Sequence, residues 1–422
     1  YSFDREDFVS ITTAANGTKK ANENKTGYKG IGFKSVFTDS EQVYISTGGY
    51  QFKFDKKDPI FQDFDRFYLE NHPMIRTEED KRIFLDMYRD SRMQFDGIRS
   101  IPWQLEPIWS DTFPCDLGED FTSSNVAIAL KIGTNKIQGP NGYCAAIEDI
   151  IRNPKFMLFL RNTKRIDFNG KSVSKKVKDG VIIIKNSFNA DKVECFKRED
   201  FEAKISNDIF ENFGIDLRIT VDKSDEGTGK ILEAKFVDLD DQEFENIPKK
   251  IAINSSTSIS FAVPLDDNGS VMPKLHREEI SMFAFLPTLV KDFKFPFFVN
   301  ANFILDPPRQ RILGDNPWNF YLMQEIAKCI VLWSASLNFK KDKNALNVLV
   351  SEYFAEDIAD TKQLAQHFNI SYKNALESES FVLNHKGGLS KLDEIALDLP
   401  GFSNFVGPDI FCQIMGTDRC LP

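Results

Sequence analysis

The stretch Thr26-Gly27-Tyr28-Lys29-Gly30-Ile31-Gly32-Phe33-Lys34-Ser35-Val36-Phe37 sets three glycines within six residues, ahead of an apolar, helix-compatible run. Glycine tolerates positive φ and lets a ligand approach the backbone where a Cβ would stand in the way. Successive N–H groups in such a loop converge on an anion, and a helix N-terminus behind them adds roughly half a positive charge. Lys34 brings a full one. Phosphate binding is the chemistry that these residue types serve at this spacing. The local charge agrees: from Asn16 to Lys34 there are five lysines and one acid, Glu23.

The common phosphate loops do not fit the string. A Walker A loop needs Gly-Lys-Ser/Thr contiguous after four spacers. Gly27 and Gly32 have that separation, but Phe33 intrudes before Lys34-Ser35. A dinucleotide fingerprint started at Gly30 and Gly32 would end on Ser35, and no strand pattern precedes it. A protein-kinase loop would need His-Arg-Asp and Asp-Phe-Gly elements downstream, and the chain has neither.

GYKGIGFKSVF does resemble the second glycine box of the GHKL ATPases. With Tyr44-Ile45-Ser46-Thr47-Gly48-Gly49-Tyr50-Gln51-Phe52-Lys53-Phe54 behind it, the string is most similar to the sacsin and NO VEIN-like branch. The resemblance implies an α+β chain in three parts. Residues 1–140 would be a partial GHKL α/β sandwich (the Bergerat-type ATP fold) with an insertion at about 57–105. Residues 141–315 would be a transducer- or middle-like α/β domain, a mixed sheet with helices on one side. Residues 316–422 would be a long helix and an incomplete helical C-terminal segment.

The resemblance also implies ATP with Mg2+ as the ligand pair. Gly27, Tyr28, Lys29, Gly30, Ile31, Gly32, Phe33, Lys34 and Ser35 would cradle the phosphates, and Gly17-Thr18-Lys19 would open an ATP lid. A Gly-Thr pair normally introduces the following nucleotide-contacting strand. Here Ser124-Asn125 takes its place, so that contact falls to Asn125 or is lost. In related clamps an arginine at a turn of the second domain reaches the γ-phosphate. Arg309, in Asp306-Pro307-Pro308-Arg309-Gln310-Arg311, holds the matching position, with Arg311 in reserve. Without the resemblance, that pair reads as surface arginines beside Asp306 or Asp315, each worth well under ~1 kcal/mol.

Elements must position these residues. Asp4 can cap a helix, with Phe3 and Phe8 spaced as a hydrophobic staple. Gln42–Ser46 and Tyr50–Phe54 alternate around Gly48-Gly49 as a hairpin. Asn125–Ile132 reads as a buried strand. Ala145–Leu160 reads as helix interrupted near Pro154. Asn169-Gly170 and Asp179-Gly180 mark hairpins between Ile166–Phe168, Lys171–Lys175 and Val181–Lys185. Asp216–Val221, Leu232–Val237, Ser258–Val263, Met282–Pro287 and Phe295–Leu305 read as further strands. Asn316-Pro317 caps a helix to about 338.

The family's adenine-binding Asp, water-activating Glu and Mg2+-binding Asn would all lie upstream of Tyr1. The chain therefore reads as an N-terminally truncated piece, not catalytically complete by itself. Its 422 residues leave ample length for real cores, and 39 phenylalanines suggest aromatic ones. A net charge of −10 argues against a nucleic-acid surface over the whole chain. Six cysteines without CxxC or zinc spacing read as free thiols in a reducing compartment, and four isolated histidines form no metal motif. No signal peptide or membrane span stands out, so a cytoplasmic or nuclear protein is expected.

Two functions stay open. One is an ATP-driven conformational clamp with a chaperone-like or protein-assembly role and protein clients. The other is a nucleotide-binding or pseudo-ATPase scaffold without turnover. A histidine kinase shares the ATP fold, but the transducer-like second domain argues against it.

Overall fold

The computed structural model describes residues 2–12, 33–59, 76–83, 103–138, 142–205, 219–220, 235–236, 256–272, 280–306, 310–398, 401–417 and 419–420. The chain is α+β, as the sequence reading expects, and divides into two units, Tyr1–Ala146 and Ile147–Pro422.

In the first unit, α1 (Arg5–Thr12) begins where Asp4 accepts the Asp7 N–H at 2.9 Å. Phe3 and Phe8 both pack on the sheet's core, and Asp4 caps the helix between them. The expected hairpin is β1 (Gln42–Thr47) and β2 (Tyr50–Asp55). It turns through Gly48 and Gly49 at φ 45° and 111°. A type I′ two-residue turn, one of the two that follow the strands' twist, needs positive φ at both positions. A Cβ at Gly48 would also collide with Ser2.

β3 (Ile108–Trp109) and β4 (Val126–Leu130) complete an antiparallel sheet in the order β3-β2-β1-β4. On one face Val43, Ile45, Phe52 and Phe54 pack under Phe8, Phe33, Phe37 and Trp103. On the reverse face Tyr44 meets Phe113, which packs on Phe121 of α2 (Glu119–Ser123). The short α3 (Thr134–Ile137) follows β4.

The buried strand expected at Asn125–Ile132 is instead the sheet's edge. Ile128 and Leu130 stand opposite Ile45 and Val43, yet they remain 44% and 38% exposed. The helical segments cover the central strands, and an edge strand has a neighbour on one side only. Within the expected insertion, residues 78–83 are helical, with Glu78–Lys81 and Glu79–Arg82 ion pairs. Residues 60–75 and 84–102 lie outside the described set.

The second unit opens within α4 (Tyr143–Arg152), and a 3-10 turn at Pro154–Met157 follows, as the proline predicts. β5 (Arg165–Phe168), β6 (Lys171–Lys178), β7 (Val181–Asn186) and β8 (Lys192–Lys204) form an antiparallel meander. Its first two turns are Asn169-Gly170 and Asp179-Gly180, with φ from 49° to 75°. β8 has no counterpart among the expected strands. Only two residues of each of the next two expected strands are described, as β9 (Ile219–Thr220) paired with β10 (Lys235–Phe236).

β11 (Ser256–Pro264), β12 (Met282–Ala284), β13 (Leu286–Pro287) and β14 (Phe298–Asn300) complete eight strands in the order β13-β12-β14-β11-β8-β7-β6-β5. β12 and β14 are parallel, and the other pairings are antiparallel.

Helices were expected on one side of this sheet, and they cover both. α4 and the Pro154 turn bury Met157, Leu158 and Phe159 against Val173, Ile182, Ile184, Phe196 and Phe298. On the opposite face α5 (Pro317–Phe339) and α6 (Lys362–Ser378) cover Ile259, Phe261, Phe297 and Val299. Asn316 caps α5 by accepting the Trp318 and Asn319 N–H groups, as predicted. The long helix is apolar nearly all round, with Trp333 stacked on Phe261, so it joins the sheet's core and does not open a third body at 316.

After α6 the chain forms the hairpin β15 (Val382–Leu383) and β16 (Leu389–Ser390), then α7 (Ser403–Val406) and α8 (Pro408–Met415). Among the described residues no helix is long and apolar enough to cross a membrane.

Candidate functional site

The glycine string leads into a 3-10 turn, Phe33–Thr38, where the sequence suggests a helix. Phe33 and Phe37 turn their rings onto Phe54, and Phe37 also meets Trp103, so the aromatic positions belong to the core. Ser35 is exposed. Gly17, Thr18, Lys19 and Gly27, Tyr28, Lys29, Gly30, Ile31 and Gly32 lie outside the described residues.

Lys34 points its ammonium at backbone carbonyls: Nζ donates to Ile11 O and, at 3.1 Å, to Gln104 O. Ile11 O is among the last carbonyls of α1, which have no partner within the helix and carry its partial negative charge. The rings of Phe33, Phe37 and Phe54 stand 5.9–6.0 Å from Nζ, within cation–π reach. Burial lowers the Lys34 pKa to about 8. One side chain thus ties the end of α1 to the turn that begins at Phe33.

Beside this anchor lies a cavity of about 660 Å³, lined by Gln104, Thr38 and Trp103 and by the charged Asp39, Glu41, Lys56, Lys57, Lys131 and Lys136. Glu41 accepts Lys56 at 2.9 Å and Lys57 at 3.0 Å, and those two lysines hold its carboxyl below the usual range. Asp39 is held low in the same way, first by Lys136 at 2.6 Å and then by the Tyr143 hydroxyl. Four lysines against two carboxylates leave the wall net positive, which suits an anionic ligand. The volume falls within the range of small-molecule sites. None of these residues was a sequence candidate. They come from the turn after Thr38, the end of β2, the stretch before β3, the end of β4 and α3, and only the tertiary fold gathers them.

The remaining sequence candidates are placed as follows. Asn125 is exposed at the entry to β4. Arg309 lies outside the described residues. Arg311 is exposed, with Nη1 3.7 Å from Asp360 Oδ2, a surface pair of small energetic weight. Among the described residues, Asp306 makes contacts with backbone groups. Its Oδ1 accepts the Gln310 and Arg311 N–H groups at 2.8 and 3.0 Å and shapes the turn.

In the second unit the fold gathers three metal-ligating side chains that the sequence reading left scattered: His385, Cys412 and Cys420. No family model matches the chain, and neither the curated proteins nor the solved structures yield a match.

Proposed function

We propose that the first unit binds ATP on its glycine string, and that the protein works as an ATP-driven conformational clamp with a chaperone-like or protein-assembly role. The observation that carries this reading is the Lys34 tie. It closes the ends of a lysine- and glycine-rich segment on the helical side of an antiparallel sheet, next to a net-positive cavity. A segment fixed at both ends can present its N–H groups to phosphate at a smaller entropic cost than a free one.

In this reading the backbone from Gly27 to Gly32 holds the phosphates, and Lys34 anchors the turn that follows it in the chain. ATP supplies the transferable γ-phosphoryl group. Its transfer asks little of the protein beyond positioning and charge neutralisation. The resemblance gives Arg309 the task of adding positive charge in the transition state, where a preorganised cation counts most. The uncovered apolar pair Ile128 and Leu130, beside the covered Ile45 and Val43, is the kind of strip that a further helix of the same layer covers. A second reading, a nucleotide-binding scaffold without turnover, draws on the exposed Asn125 where the family has threonine.

The test is Gly32→Val in the full-length protein, because a β-branched side chain there fills phosphate space. The variant should keep its circular dichroism and melting temperature and lose calorimetric binding of a non-hydrolysable ATP analogue. Undiminished binding by the folded variant would discard the assignment.

A further inference from the structure

We propose that His385, Cys412 and Cys420 form a zinc-binding site that cross-links the C-terminal segment of the second unit. The inference is independent of the nucleotide reading. Three separate pieces of chain deliver the ligands. His385 sits in the β15–β16 turn, which Asn384 holds by accepting the Lys386 and Gly388 N–H groups at 3.0 and 3.1 Å. Cys412 lies in α8, three residues after Asp409 and on the same side of the helix. Cys420 is fixed by its own backbone: its carbonyl accepts the His385 N–H at 2.9 Å, and it bridges Ala396 in parallel.

The three ligand atoms lie within 4.8 Å of one another. Cys420 Sγ is 3.4 Å from His385 Nδ1. A tetrahedral zinc with ordinary Zn–S and Zn–N lengths sets sulfur and nitrogen about 3.5 Å apart and two sulfurs about 3.8 Å apart. The cluster has that scale.

The imidazole is already in the right tautomer. Nδ1 accepts the Cys420 N–H at 3.2 Å, so it carries the lone pair, and the proton is on Nε2. Nε2 donates to Asp409 Oδ1 at 3.1 Å. A ligating histidine whose second nitrogen donates to a carboxylate is the usual outer shell of a zinc site. The His385 side chain is only 9% exposed, so its orientation is set by the fold. Metal binding takes over the Nδ1 lone pair on which the Cys420 amide and thiol now converge. Each thiol loses one proton to solvent as its thiolate binds. Solvent fills the fourth tetrahedral position.

Among the described residues the segment is held by a few polar contacts, such as Arg419 to Glu394 at 2.8 Å, and by little apolar burial. Its separate core consists of Ala396, Phe411, Cys412 and Cys420, so two of its four buried residues are the cysteines themselves. Cores of that size are ordinarily supplemented by a disulfide or a metal. Two soft sulfurs and one imidazole favour zinc over a hard cation that prefers oxygen.

The experiment uses the 422-residue chain, purified with reductant and titrated with Zn2+, with Co2+ as the spectroscopic probe. One equivalent should bind and give the thiolate-to-cobalt charge-transfer absorption and intense visible bands of tetrahedral cobalt. Zinc should protect Cys412 and Cys420 from alkylation, as mapped by mass spectrometry, while Cys144 stays reactive. Cys412→Ser and Cys420→Ser should each abolish the cobalt spectrum, and Cys144→Ser should leave it intact. Asp409→Asn should weaken zinc about ten- to hundredfold at unchanged stoichiometry, as for loss of an outer-shell partner. The alkylation map needs no variant, so it decides the matter even where a substitution fails to fold. Absence of zinc-dependent protection in the folded protein would overturn the site. A Cys412–Cys420 disulfide in protein purified without added oxidant would overturn it too.

Discussion

Lys34 and Lys175 are both held near pKa 8, against an ordinary 10.5, because each has been drawn out of water to hold a backbone carbonyl. For Lys175 that carbonyl belongs to Leu160, and Arg198 adds repulsion to the larger effect of burial. The consequence for folding has a definite sign. Between about pH 8 and 10.5 the unfolded chain keeps the proton that folded Lys175 has lost, so raising the pH across that window favours the folded state. Below it, both states are charged, and the cost of burying the charge is felt in full. Lys175→Met removes the effect. The stability difference between the wild type and this variant, from urea unfolding at pH 7.5, 8.5, 9.5 and 10, should therefore move in favour of the wild type as pH rises. A difference that stays constant across the series would show that Lys175 is not buried as described. Subtracting the variant also cancels the opposite trend from Tyr321 and Cys329, whose ionisation burial suppresses in the folded state alone.

At the scale of elements, Asn319 fixes the junction between the sheet and α5. Its Oδ1 accepts the Ile304 N–H at 2.9 Å, and its Nδ2 donates to Ile304 O at 2.8 Å and Leu313 O at 2.9 Å, all with no solvent access to the side chain. Residues 301–304 were expected to continue a strand through Leu305, but the described strand stops at Asn300. The side chain of a helix residue therefore satisfies backbone groups that a strand partner would otherwise have taken. Asn319→Ala leaves the buried Ile304 N–H and the part-buried Leu313 O without that partner, while Ile304 O keeps the Leu313 N–H at 3.1 Å. Each buried group left unpaired costs about 1–3 kcal/mol. A loss of about 2 kcal/mol or more in urea unfolding is expected, with little change in m. A loss under about 1 kcal/mol would mean that these bonds do not hold the junction.

For the whole molecule, the clamp reading makes its least protected prediction at Arg309. Arg309→Ala in the full-length protein should lower kcat roughly ten- to a thousandfold, as for a lost transition-state charge contact. Nucleotide affinity should change little, because the charge is needed only as the phosphoryl group transfers. Equal losses in affinity and turnover would assign Arg309 to ground-state binding. No loss of turnover would return it to the solvent surface, where its neighbour Arg311 faces Asp360.

Sequence by itself determined what depends on neighbours in the chain. The Asp4 and Asn316 caps, the Gly48-Gly49, Asn169-Gly170 and Asp179-Gly180 turns and the break at Pro154 each rest on a residue's own conformational limits or on a bond spanning a few positions. β8 was invisible at that range. Its KVECFKREDFEAK run mixes charges into every turn of a helix or side of a strand, and it becomes a strand because β7 and β11 flank it. The edge position of β4, the second helical layer on the larger sheet and the carbonyl partners of Lys34 were likewise decided by packing between distant segments. The same holds for His385, Cys412 and Cys420. Their spacing matches no ligand motif, because the order of residues along the chain does not record which turn, helix and bridge will close on one point.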